Sequence, residues 1–219
     1  MQHSFTEENY LKIIHALSGK SGAEVSTSAI AESTATKAGS VTDMLKKLAD
    51  KGLINYKKYQ GVTLTERGEN LALKVIRKHR LWEAFLVEKL GFGWDEVHDI
   101  AEELEHVSSE ILVERLDEFL DYPRFDPHGD PIPDAKGKMP ESKYLKLSEM
   151  ENGQTAILMG VLDHSQPFLQ YLDRTGLSLG IEIKIIETNE YDHSLVLSID
   201  GIKEIFVSYQ VARQLLVLP

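Results

Sequence analysis

The 219-residue chain contains no cysteine, which removes disulfides, thiolate nucleophiles and cysteine-based zinc sites and fits a reducing compartment. It has no run of 18 apolar residues and no signal-like N-terminus. A soluble, non-exported, cytoplasmic protein is expected. Proline is concentrated: Pro123, Pro127, Pro131, Pro133 and Pro140, five of the seven, fall between Tyr122 and Tyr144 and mark a structured loop or linker. A hydrophobic content of 42% suffices for real cores, and the length leaves room for one large or two ordinary domains.

Positive charge is also short overall, with a net charge of −11, and this argues against a nucleic-acid partner until the charge is divided along the chain. Residues 1–80 hold 13 Lys/Arg against 8 Asp/Glu, a balance of +5. Residues 81–140 stand at −11 and residues 141–219 at −5. A basic first third followed by an acidic middle suggests a polyanion-binding module joined to a cation-binding one.

The basic third reads as a winged helix. Thr6-Glu7-Glu8-Asn9 suggests an N-cap leading into a helix with Tyr10, Ile13, Ile14 and Leu17 on its apolar face. Two short helices follow, Val25 to Glu32 and Lys37 to Lys51, around the turn Ser33-Thr34-Ala35-Thr36. Val41, Leu45 and Leu48 give the second of these its core stripe. Its small, hydroxylated and basic residues, Thr36, Lys37, Gly39, Ser40, Thr42, Asp43, Lys46 and Lys47, suit close approach to a DNA groove and contact with phosphates. Leu53 to Tyr59 and Val62 to Thr65 alternate around Gln60-Gly61 as a hairpin would, with Lys57 and Lys58 near its tip. Similar helix-turn-helix patterns occur in many small helical domains, and the wing and the local charge favour DNA here.

The acidic middle carries metal-ligand chemistry. In the helical stretch Val97 to Val107, His98, Glu102, Glu105 and His106 fall within an arc of about 100°. Ile100, Leu104 and Val107 lie on the other side. A Glu-rich helix is often only a solvated face, but His79 and Glu83, four apart on the preceding helical pattern Glu66 to Leu90, offer a second such pair. Two helices each presenting His and Glu can build a metal site between them. Asp126-Pro-His128-Gly-Asp130 in the linker adds oxygen and imidazole donors two residues apart. Leu81, Phe85, Leu86 and Leu90 exceed what one small domain would bury, which points to a dimer interface. A further helix is expected from Ser108 to Leu120.

After the linker the pattern changes to short strands: Gln154 to Leu162, Ile181 to Glu187, Leu195 to Ile199, Glu204 to Ser208 and Gln214 to Leu218, with one helix at Pro167 to Asp173. About 70 residues of this kind suit a small barrel.

The stretches Glu8-Asn-Tyr-Leu, Ser40-Val-Thr, Gly61-Val-Thr-Leu-Thr-Glu-Arg-Gly, Arg77-Lys-His-Arg-Leu, Val97-His-Asp, Glu105-His106-Val and His128-Gly-Asp-Pro-Ile-Pro, in that order, resemble the diphtheria-toxin-repressor family of metal-dependent transcriptional repressors. The branch resembled is that of the manganese transport regulators with a C-terminal SH3-like, FeoA-type domain. The resemblance implies a primary site of Glu102, Glu105 and His106, completed from the first helix at the position of Asn9, where manganese-type members have aspartate and iron-type members methionine. Glu102 stands where iron-type members have cysteine, which favours a harder ion. It implies a secondary site of His79, Glu83 and His98, with Asp126, His128 and Asp163 as further donors and His164 as a neighbour of the last. Lys12 stands where some short manganese regulators add a second first-helix carboxylate, which argues against a binuclear primary site.

The expected architecture is therefore a mainly α winged helix-turn-helix (1–70), a helical metal-binding and dimerisation domain (71–140) and a small all-β SH3-like barrel (148–219). The expected function is that of a homodimeric repressor, not an enzyme, that binds double-stranded operator DNA when loaded with Mn(II) or Fe(II) and so controls metal-ion transport genes. Two alternatives are a winged-helix regulator of a small organic ligand and a metallohydrolase. The latter lacks both a His-Glu-x-x-His arrangement and a nucleophile.

Overall fold

A computed structural model describes residues 3–19, 22–57, 60–141 and 143–219. The chain divides into two compact units, the first made of Met1–His79, Glu102–Val113 and Pro133–Met139, the second of Arg80–Ala101, Glu114–Ile132 and Pro140–Pro219. No helix among the described residues is long and apolar enough to cross a membrane.

The first unit begins with α1 (Phe5–Ser18). Its N-cap is Ser4 rather than a residue of the Thr6–Asn9 stretch: the Ser4 hydroxyl accepts from the Glu7 amide at 3.3 Å, and the Glu7 carboxylate accepts from the Ser4 amide at 3.1 Å. This is a capping box, and it starts the helix two residues earlier than the stretch beginning at Thr6 suggested. Next come α2 (Thr27–Ser33), capped by Ser26, and α3 (Ala38–Asp50). Val25, expected to open α2, instead bridges Val62 as an extended residue. The turn between the two helices places Ala35 at a φ of 47°.

The wing is a two-stranded antiparallel hairpin, β1 (Ile54–Tyr56) and β2 (Val62–Leu64), shorter than the alternating pattern implied. Leu11, Ile14, Ile30, Val41, Leu45 and Leu48 bury completely between these elements. That burial is the main favourable term holding α3 in place, since each fully buried aliphatic side chain contributes about 1.5–3 kcal/mol. The helix α4 (Glu66–Leu90) follows the wing. The first unit also takes in residues 102–113 and 133–139, the latter held where an Arg77 guanidinium N–H donates to the Pro133 carbonyl at 2.6 Å.

The second unit contains the rest of α4, most of α5 (Val97–Leu104) and α6 (Glu110–Phe119), and the C-terminal strands. The expected helix through Val107 stops at Leu104, so Glu105 and His106 occupy the turn that follows. Leu81 and Leu86, expected at an interface, are buried within the chain itself, whereas Leu90, Phe119 and Tyr122 are exposed.

The strands are β3 (Leu145–Lys146), β4 (Thr155–Val161), β5 (Glu182–Thr188), β6 (Leu195–Ile199), β7 (Lys203–Val207) and β8 (Leu215–Leu218). They form one antiparallel sheet in the order β3-β8-β4-β5-β6-β7. Among the described residues β3 and β7 do not pair, so the SH3-like sheet is open where a closed barrel was expected. Two helices, α7 (Gln166–Thr175) and α8 (Tyr209–Ala212), accompany it. Leu169 and Leu172 of α7 pack with Leu158, Ile183, Ile185 and Leu197 into its core.

Candidate metal centre

In the first unit, side chains of α1 meet the turn after α5. His106 Nδ1 lies 2.7 Å from Glu8 Oε2. A carboxylate only accepts, so this nitrogen carries a proton and donates it, while Nε2 lies 3.7 Å from Glu105 Oε1. Phe5 stacks on the same imidazole, ring centroids 4.5 Å apart, which fixes its plane. A carboxylate behind a histidine is the arrangement that orients imidazole ligands in metal sites.

Glu105 is fully buried. His79 Nδ1 donates to its Oε2 at 2.7 Å, and Lys12 Nζ reaches both its oxygens at 2.9 and 2.7 Å as well as Glu102 Oε1. Burial pushes the Glu105 carboxyl up, but the His79 and Lys12 donors outweigh it and hold the group below the usual carboxylate range. Burial lowers the nearby Lys78 ammonium, against the pull of Glu8 and Glu105. Donor atoms of His79, Glu102 and Glu105 lie within 4.8 Å of one another, close enough to surround one cation.

Asn9 Oδ1, in the same helix as Glu8 and Lys12, is buried and has no hydrogen-bond partner among the described residues. A buried amide oxygen left in this condition costs about 1–3 kcal/mol, and a cation is one group that would satisfy it. Two carboxylates, an imidazole and an amide oxygen form a hard-to-borderline donor set that fits Mn(II) or Fe(II).

In the second unit, donor atoms of Glu83, Asp126 and His128 again lie within 4.8 Å of one another, and all three residues are buried. His128 Nε2 donates to the Trp94 carbonyl at 2.8 Å, which turns Nδ1 toward the carboxylates. That nitrogen makes no hydrogen bond among the described residues and sits 3.6 Å from Glu83 Oε2 and 4.0 Å from Asp126 Oδ1. Burial lowers His128, yet Glu83 and Asp126 raise it above its ordinary value. Burial, then Glu83 and Asp130, push the Asp126 carboxyl up to about 7 against the opposing Arg80 charge.

The other expected ligands lie as follows. His98 Nδ1 lies 3.5 Å from Glu83 Oε1 but is about half exposed. His79, expected with Glu83 and His98, offers a ligand atom within 4.8 Å of one from each of them, and its Nδ1 lies on Glu105. Asp163 Oδ1 accepts from the Ser165 amide at 2.9 Å, ahead of α7. His164 stacks on His128 at 4.8 Å, with its Nε2 4.0 Å from Asp130 Oδ2.

The loop that carries Asp126 and His128 is fastened to β4. The Val161 amide donates to the His128 carbonyl at 2.9 Å. Gly129 adopts a φ of +87°, and a Cβ there would lie 2.1 Å from the Met159 carbonyl oxygen. Only glycine allows this approach.

On α3, Lys37, Gly39, Ser40, Asp43, Lys46 and Lys47 are exposed, and Thr36 and Thr42 partly so. Thr42 spends its hydroxyl on the Ala38 carbonyl at 2.9 Å and Thr36 on that of Thr34 at 3.0 Å. Lys46 pairs with Asp43 at 3.3 Å, while Lys47 Nζ lies 2.9 Å from buried Glu7. Lys57 is exposed beside the wing, and Lys58 lies outside the described residues. The roles of Glu7 and Glu8 were invisible in sequence, because an acidic first turn looks the same whether it caps a helix, grips a lysine or orients a histidine.

Three family models match successive parts of the chain. "Iron dependent repressor, N-terminal DNA binding domain" covers residues 4–62, "Iron dependent repressor, metal binding and dimerisation domain" covers 65–134, and "FeoA domain" covers 145–219. The iron-dependent repressor IdeR of Mycobacterium tuberculosis is 32% identical over 178 residues, 77% of each chain. The diphtheria toxin repressor of Corynebacterium glutamicum is 30% identical over 191 residues, 83% of each chain. A solved structure described as a manganese-dependent transcriptional repressor in complex with manganese is 35% identical, with a TM-score of 0.86 over 97% of this chain and 99% of that one.

Proposed function

This chain belongs to the iron-dependent repressor family and is a metal-dependent transcriptional repressor, and from that premise we propose that it acts as a cytoplasmic homodimer that binds operator DNA when Mn(II) or Fe(II) is held by Glu102, Glu105, His106 and Asn9. Family members are repressors rather than enzymes, so the metallohydrolase alternative drops out. We assign DNA binding to residues 1–70, metal binding and dimerisation to 71–140 and the FeoA-type domain to 148–219.

The observation that carries this reading is that α1, part of the DNA-binding unit, meets the Glu102–His106 segment through charged and ligand-type side chains: Glu8 on His106, and Lys12 on Glu102 and Glu105. An ion at this junction would bind α1 and the segment together and so bias the DNA-competent arrangement by its differential affinity. We assign a secondary site to Glu83, Asp126 and His128 with His98 at its rim, supported by the unpartnered His128 Nδ1. His79 then serves the primary cluster by fixing Glu105. Asp163 has no supporting observation as a ligand, because it holds the start of α7.

For DNA, Ser40, Gly39, Lys37 and Lys46 on α3 and Lys57 beside the wing are the exposed candidates, with α3 in the major groove. Exposed Leu90, Phe119 and Tyr122 supply apolar surface for the dimer. The test is a mobility-shift titration with Mn(II), Fe(II) and a chelator, using wild type, Glu102→Gln and His106→Ala. Metal-stimulated binding that survives in both variants would sink the primary-site assignment.

A further inference from the structure

The ammonium of Lys12 touches the same oxygens that the proposed reading gives to the ion. Its Nζ reaches Glu102 Oε1 and both oxygens of Glu105, the latter at 2.9 and 2.7 Å. Lys12 lies one turn beyond Glu8 and three residues beyond Asn9, so all three share a face of α1. The primary cluster thus contains a cation of its own.

We propose that Lys12 is an exchangeable internal counter-ion that a divalent metal must displace to enter the primary site, so that this residue sets the metal concentration at which the repressor responds. The inference rests on the site assignment made above. Charge and space both favour exchange over sharing. A divalent ion would sit about 2.0–2.2 Å from carboxylate oxygens, and an ammonium within 3 Å of the same oxygens would then face it with nothing between them.

Glu102 and Glu105 with Lys12 leave one net negative charge, and replacing the ammonium by a divalent ion leaves none. Replacement by a monovalent ion gains nothing, so the exchange favours double charge. The side chain can make the move: it is 18% exposed on a flexible four-carbon stem, whereas Glu105 is fully buried and pinned by His79. Without any cation Glu105 would be a stranded buried carboxylate, and the Lys12 ammonium supplies one.

The test uses the full-length protein. Mn(II) affinity, read by electron paramagnetic resonance of free ion, is compared for wild type, Lys12→Gln, Lys12→Arg and Glu102→Gln. Tighter binding by Lys12→Gln, by about tenfold or more, with Lys12→Arg near wild type, is the expected result. A second measurement needs no variant: acetylation of Lys12 by an amine reagent, followed by mass spectrometry, should rise several-fold when Mn(II) is added. If Lys12→Gln folds but binds Mn(II) no better than wild type, or if Lys12 reactivity falls or stays constant with metal, the exchange is wrong. If Glu102→Gln leaves Mn(II) binding unchanged, the site assignment fails, and the exchange with it.

Discussion

Glu7, in the first turn of α1, and Lys51, the residue that ends α3, meet through both carboxylate oxygens at 2.7 and 2.8 Å. Lys47 joins them at 2.9 Å, and the carboxylate is buried. One short helix therefore grips α3 with one residue and the Glu102–His106 segment with the next and with Lys12.

Replacing this carboxylate should uncouple the two grips. Glu7→Gln is expected to lower stability by about 2–3 kcal/mol, the scale of charge-assisted hydrogen bonds lost from a buried group. It should also weaken operator binding without lowering Mn(II) affinity. Urea unfolding and metal titration on the same sample separate the effects.

The same carboxylate sets an acid limit. Burial raises Glu7, but Lys51, Lys47 and the Ser4 amide hold it at about 2 against an ordinary value of 4.5. A depressed carboxyl contributes its full stabilisation above pH 4.5, and this is lost as pH falls toward 2. Wild type should lose stability steadily across that window, and Glu7→Gln should show a flatter profile there.

Lysines on the DNA face should divide by partner. Neutralising Lys46 or Lys57 is expected to reduce the salt slope of DNA binding by about one, the signature of a lost phosphate contact. Lys47→Met should change the slope less and cost stability instead, because its ammonium is committed to Glu7. A full unit of slope lost at Lys47 would place that residue on the backbone.

At Asn9, ion preference is accessible to substitution. Asn9→Asp adds a charged oxygen donor and should lower the Mn(II) concentration needed for DNA binding, while Asn9→Met offers a soft donor and should shift preference toward Fe(II). Unchanged metal dependence in both variants would mean that α1 supplies no ligand.

For the second cluster, His128→Ala and Glu83→Gln should each remove one bound metal equivalent per chain and spare the first, as counted by elemental analysis after dialysis. Loss of both equivalents would show that the clusters are not independent.

Much of the fold was legible because it follows local rules. The Val41, Leu45 and Leu48 spacing, the turn at Gln60-Gly61 and the alternation of β4 to β8 each express a period that backbone geometry imposes. The site was legible only as a set of residue types. Lys12 and Glu105 lie 93 positions apart, and Glu8 and His106 lie 98 apart, so no periodicity could pair them. The helix α5 ends at Leu104, so Glu105 and His106 leave the stripe that the period suggested, and Glu105 meets Lys12 and His79. The two-residue strand β3 was too short to leave a pattern at all.

The splice between the Asp126–Asp130 loop and β4 bears on modularity. Asp126 and His128 precede the FeoA-type domain in sequence, yet His128 takes its backbone partner from Val161, and Gly129 fits only against the Met159–Gly160 backbone. A chain cut after Pro140 would keep all three donors of the second cluster and still lose the support that aims one of them. The C-terminal domain is in this sense not a detachable cassette. Any recombinant that swapped it for another would have to present a backbone that Gly129 can approach as closely as it does that of Met159 and Gly160.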